Sequence, residues 1–138
     1  MSALRRLWTA LTQGVVATSA TAADPRLRGR TYAIPFDRVW TEALALTDGG
    51  LKRWRLLHAD DREGIIVADA TAALLRSTTG VTISIALDEN AQTRVDAKAA
   101  SRSGRGDFGA GVRHLARFFR ALDSAVAASP RRTAPRAG

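Results

Sequence analysis

The residues best suited to chemistry lie in one stretch, 101–113, with the sequence SRSGRGDFGAGVR. Gly104, Gly106, Gly109 and Gly111 let a backbone take positive φ angles and come close to a ligand or a neighbour. Asp107 suits the N-cap of a helix that follows, and Arg102, Arg105 and Arg113 supply cationic forks beside its unpaired N–H groups. A phosphate, sulfate or carboxylate is what such a turn would hold, with Arg102, Gly104, Arg105, Asp107, Gly109 and Arg113 as its contacts. The competing reading is architectural. In it the glycines shape a strand-to-helix crossover, Phe108 enters the core, and the arginines are solvated or pair with Asp107.

Little else in the chain points to a reaction. His58 and His114 are the only histidines, and neither is spaced to share a metal with a second ligand. Asp60 and Asp61 sit where a polar turn is expected, so they read as turn formers rather than a catalytic carboxylate pair. Asp69 and Asp96 fall on strand faces and are expected to be exposed. The sequence contains no nucleophile elbow, phosphate loop or dinucleotide fingerprint. It also has no cysteine, which removes disulfides, thiolate metal sites and thiol nucleophiles. The expectation is a binding domain without catalytic residues, metal or cofactor.

Charge is distributed unevenly along the 138 residues, whose net charge is +8. Residues 1–30 carry five arginines against Asp24, a net of +4, and residues 129–138 carry three arginines and no acid. Residues 31–128 are nearly neutral at +1. Basic ends on a neutral body favour an anionic surface such as lipid headgroups or a protein partner. Recognition of nucleic acid would need a basic patch on the folded part, so it is not expected.

The first 29 residues read as a leader. Arg5 and Arg6 precede a mildly apolar stretch, and Ala20, Thr21 and Ala22 resemble a cleavage site, the layout of an export signal. Leu4, Leu7, Trp8, Leu11 and Val15 also share one face of an amphipathic helix. In that case Arg5, Arg6, Leu7, Trp8 and Leu11 are the membrane or partner contacts, and Trp8 suits an interface. A disordered leader is the third reading. Localisation follows from the choice: periplasmic or exported, peripheral to a membrane, or cytoplasmic. The tail 129–138, rich in Pro, Arg and Ala, is expected to be disordered.

Residues 30–128 are expected to form one domain. The stretch 31–35 reads as extended, and Asp37 as the N-cap of a helix over 38–47 that buries Val39, Trp40, Ala43, Leu44 and Leu46. Asp48, Gly49 and Gly50 stop it. Strands are expected over 54–59, 65–71, 81–87 and 94–100, joined by polar turns. Val112, Leu115, Phe119, Leu122 and Val126 then keep helical spacing to about residue 127. Trp40 and Trp54 are expected in the core. The order β-α-β-β-β-β-α implies an α+β fold, an antiparallel sheet of four to five strands with two helices on one face.

Residues 101–109 resemble the signature of the bacterial family catalogued as domain of unknown function 1499. So do Arg30, Thr31, Tyr32, Ala33, Ile34 and Pro35, followed by Val39 and Trp40 on a helix. The resemblance covers residues 30–126. The family pattern usually places Asn where this chain has Gly111, which costs a binding group if that Asn is a ligand contact and nothing if it shapes a left-handed turn. The resemblance implies a small domain found beside membrane segments or export signals, and it implies no reaction. The function expected is an accessory or binding domain at a membrane surface or in a membrane-associated assembly. An anion- or ligand-binding module built on turn 101–111 is the alternative.

Overall fold

In the computed structural model, residues 16–19, 28–72, 77–102 and 108–133 are described. Their elements run β1 (Val16–Ala17), β2 (Arg30–Tyr32), α1 (Phe36–Ala45), β3 (Trp54–Asp60), β4 (Ile65–Thr71), β5 (Thr78–Leu87), β6 (Thr93–Ser101) and α2 (Phe108–Thr133). All strand pairs are antiparallel, and the order across the sheet is β1, β6, β5, β4, β3. β2 also pairs with β6, so β1 and β2 share one edge end to end. The fold is therefore α+β, an antiparallel sheet five positions wide with two helices.

Short turns impose the antiparallel order. Asp60 Oδ1 accepts from the Arg62 and Glu63 amides at 3.0 and 3.3 Å, which closes the β3–β4 turn. Asp88 Oδ1 does the same for Asn90 and Gln92 between β5 and β6, at 2.8 and 2.9 Å. Alternation then sorts the strands into two faces. Ile66, Ala68, Val81, Ile83, Ile85, Val95, Ala97 and Ala99 join one buried cluster with Val39 and Ala43 of α1 and Leu115, Phe118, Phe119, Leu122 and Val126 of α2. Both helices thus cover one face. The other, second face carries Arg55, Asp69, Gly80, Thr82, Asp96 and Lys98, in register with one another.

Several local expectations change. α1 begins at Phe36, two residues early, because Pro35 enters it as the cap and its carbonyl accepts from Arg38 and Val39. Asp37 therefore sits in the first turn, where it faces the positive end of the helix dipole. The chain leaves α1 through a π-helical turn, Leu46–Gly50, closed by the Leu51 amide on Leu46 O, and Gly49 takes φ +106° there. Trp54 is buried as expected, stacked 5.9 Å from Phe118, whereas Trp40 is half-buried beside Phe36. α2 continues to Thr133, past the expected end near 127 and into the stretch read as a disordered tail. Ala121, Ala125, Ala127 and Ala128 favour that continuation.

β1 lies ahead of residue 30, inside the stretch read as a leader. Val16 pairs with Ala99 and Ala17 with Lys98. The Thr18 amide donates to Ala97 O at 2.9 Å, and its hydroxyl donates to Asp96 Oδ1 at 2.7 Å while accepting from the Ala97 amide. Two residues carry no periodicity, which is why pattern reading passes over them. Asp96, expected to be exposed, is instead held between Thr18 and Arg94, with Arg94 Nε and Nη2 at 2.9 and 2.8 Å. That pairing raises the Arg94 guanidinium pKa.

Candidate functional site

Strand parity decides where the arginines of the glycine-rich turn can act. The Arg102 amide donates to Thr78 O at 2.9 Å, so Arg102 continues the β6 register one residue past Ser101. Its side chain therefore falls on the second face, opposite α2. Gly109 and Arg113 are exposed in the first turns of α2, on the helix side. Arg102 is thus not brought beside the helix start, and the fork expected there lacks it. Gly104, Arg105 and Asp107 lie outside the described residues, as do Arg5, Arg6, Leu7, Trp8 and Leu11. Gly111 is buried within α2, so it serves as a helical position and not as a left-handed turn.

What Arg102 does instead is bind Asp69 of β4. Its Nε donates to Asp69 Oδ1 at 2.9 Å, and its Nη2 stands 2.7 Å from the same oxygen in an ion pair. Arg55 of β3 approaches the same carboxylate, with Nη2 3.9 Å from Oδ2. Asp69 was expected to be exposed, yet its side chain is only 16% accessible because the two guanidiniums enclose it. Gly80 permits this arrangement: a Cβ there would stand 3.1 Å from Arg102 Cζ and Nε. A cavity of about 280 Å³ lies alongside, lined by Val67, Gly80, Thr82, Ala100 and Arg102 among others. In the next row Thr82 and Lys98 are buried, and burial pushes the Lys98 ammonium pKa down.

A second polar cluster lies on the helix side. Arg30 Nε donates to both Asp123 oxygens at 3.1 and 3.2 Å, and Tyr32 Oη donates to Asp123 Oδ1 at 2.6 Å. The Arg30 guanidinium also stands 5.1 Å from the Phe119 ring centroid, in cation–π contact. Alternation along β2 puts Arg30 and Tyr32 on the same side, with Thr31 opposite. These three residues tie the short β2 strand to the middle of α2. Sequence reasoning missed the cluster. The available signal was Asp123 on the inward side of α2, one residue after Leu122 and three before Val126.

The family model described as protein of unknown function, DUF1499, matches residues 12–122. The chain belongs to that family. The match begins before residue 30 and so takes in β1, Thr18 and the seam around Asp96, as well as Arg30, Tyr32 and Arg102. No curated protein matches the chain. In this DUF1499 domain the histidines stay apart from both clusters. His114 packs edge-on against Trp54 at 6.2 Å rather than facing solvent fully, and His58 lines an open groove of about 450 Å³ with Trp40, Leu44, Asp60, Asp61 and Arg62. Among the described residues no three His, Asp or Glu side chains gather as a metal site would require.

The Tyr32 contact gives this DUF1499 domain an alkaline signature. Burial, then the hydrogen bond and charge of Asp123, raise the Tyr32 pKa well above the usual phenol value near 10. Above that value the unfolded chain releases the phenolic proton and the folded chain keeps it, so stability falls as pH rises. Lys98 has the opposite sign: its lowered folded pKa makes stability rise with pH only up to the ordinary lysine value. Urea unfolding between pH 9 and 11.5 is expected to show a decline above about pH 10, approaching ~1.4 kcal/mol per pH unit. Tyr32→Phe should flatten that decline. A slope that the substitution leaves unchanged assigns the effect to another group.

Proposed function

We propose that this DUF1499 chain is an accessory or binding domain that works at a membrane surface or within a membrane-associated assembly. The observation that carries this reading is the partition of charge: with Arg30 counted in β2, where it binds Asp123, residues 1–29 hold +3 and 129–138 hold +3 around a body of +2. Each basic residue near an anionic bilayer surface contributes about 1 kcal/mol, so ends of this composition supply useful attraction without a dedicated pocket. None of the described helices is long and apolar enough to cross a bilayer. The β1 pairing adds a mechanical argument. It joins Val16 and Ala17 to the edge of β6, so the basic N-terminal stretch is covalently continuous with a strand of the sheet.

The test leaves β1 intact. Arg5→Glu with Arg6→Glu, and separately removal of residues 2–14, are compared with wild type for co-sedimentation with phosphatidylserine-containing and pure phosphatidylcholine vesicles. Wild type should bind the anionic vesicles and release with salt. The double charge reversal should weaken binding by at least ~30-fold, the equivalent of two lost attractions of about 1 kcal/mol each. Equal partitioning of wild type and both variants would sink this reading.

A further inference from the structure

Antiparallel register places Arg55, Asp69, Gly80 and Ala100 side by side across the second face of the sheet. Arg102 lies over Gly80 and reaches Asp69 from one side, and Arg55 reaches it from the other. Two guanidiniums around one carboxylate leave a local charge of +1. Asp69 engages the Nε and Nη2 edge of Arg102, so the edge formed by Nη1 and the outer Nη2 proton faces away from it. The Arg102 side chain is within reach of solvent, 51% of it being accessible. The adjoining cavity of about 280 Å³ has Gly80 and Thr82 as floor and the apolar Val67 and Ala100 as walls.

We propose that this cavity binds a small monocarboxylate, held by the outer edge of Arg102 with its short apolar body against Val67 and Ala100. The planar fork of arginine matches a carboxylate in two parallel N–H···O bonds. One negative charge neutralises the local +1. A dianionic phosphate would instead be placed close to the Asp69 carboxylate, and it would leave the apolar walls unused. The volume suits a ligand of a few carbon atoms rather than a nucleotide or a lipid. This site is independent of the charged ends of the chain and would operate with or without a membrane.

Butyrate is the probe, with inorganic phosphate as the comparison, titrated into the full-length ¹⁵N-labelled protein. The expected result is saturable shifts confined to the amides of Gly80, Thr82 and Ala100 and to Arg102 Nε, with an affinity on the order of millimolar. Arg102→Gln should weaken butyrate binding about tenfold or more, the loss of a charged hydrogen-bonding partner. Arg55→Gln, across Asp69 from the cavity and largely exposed, should leave butyrate binding near the wild-type level and serves as the control. Gly80→Val should abolish it by filling the floor of the cavity. The proposal is overturned if butyrate gives no saturable shift, if Arg102→Gln binds like wild type, or if phosphate binds more tightly than butyrate.

Discussion

Gly64→Ala is expected to lower the stability of the domain by about 2–5 kcal/mol, the sum of a left-handed backbone penalty and a steric clash. Gly64 closes the β3–β4 turn at φ +69°, and its carbonyl accepts the Ile85 amide at 2.7 Å. A Cβ there would run into the Ile85 carbonyl oxygen, which is backbone of a central strand. The overlap can be relieved only by pulling the turn off β5, which breaks that hydrogen bond and opens the sheet beside the buried Ile65. Gly49 provides the control. It has φ +106° and nothing within 4 Å of the added carbon, so Gly49→Ala should cost only the backbone penalty of about 1–2 kcal/mol. Urea midpoints of the two variants measure the difference. Equal losses would show that the contact with Ile85 relaxes freely.

The same turn illustrates what can be read from a sequence. Asp60, Asp61 and Gly64 announce a polar reversal between two apolar runs, and the reversal is there. The four long strands, two helices and their order are legible because each has a full period of apolar residues to count. β1 is not, since its two residues gain their pairing from Ala99 and Lys98 about eighty positions away. The end of α1 is partly legible: Asp48 to Gly50 mark the stop, but the widened turn there, closed by the Leu51 amide on Leu46 O, has no spacing signature.

Site residues are harder to read, because a side chain's partner depends on three-dimensional register. Sequence order groups Arg102 with its neighbours in the glycine-rich turn, whereas its side chain pairs with Asp69 of β4. The strand parity that sends it across Gly80 to Asp69 emerges only once β6 is known to extend through Ser101. Asp69 and Asp96 illustrate the same point. Each sits on a face that alternation marks as polar, and nothing local distinguishes a solvated carboxylate from one enclosed by arginines. Tyr32 and Asp123 are 91 residues apart and belong to different elements, so no spacing rule connects them.

Phe119→Ala is expected to cost about 3–5 kcal/mol, the usual range for emptying a buried aromatic site. The Phe119 side chain is fully buried, and its ring meets Phe118 edge-on at 5.3 Å. It also supports the Arg30 guanidinium, which stands 5.1 Å from the ring centroid while binding Asp123. Loss of the ring therefore acts twice: it opens a cavity under the sheet, and it removes the surface against which Arg30 is oriented. Phe119→Leu separates the two effects. Leucine refills most of the volume at a cost of about 1–1.5 kcal/mol but forms no cation–π contact, worth a further 0.5–1 kcal/mol or so at a partly exposed site. In an Arg30→Met background that second contribution should vanish, so the cost of Phe119→Leu should fall by about the same amount. An unchanged cost would mean that Arg30 is held by Asp123 alone and that the ring contributes only its bulk. A reduced one would make Phe119 the point at which the hydrophobic core and the polar clasp on β2 stabilise each other.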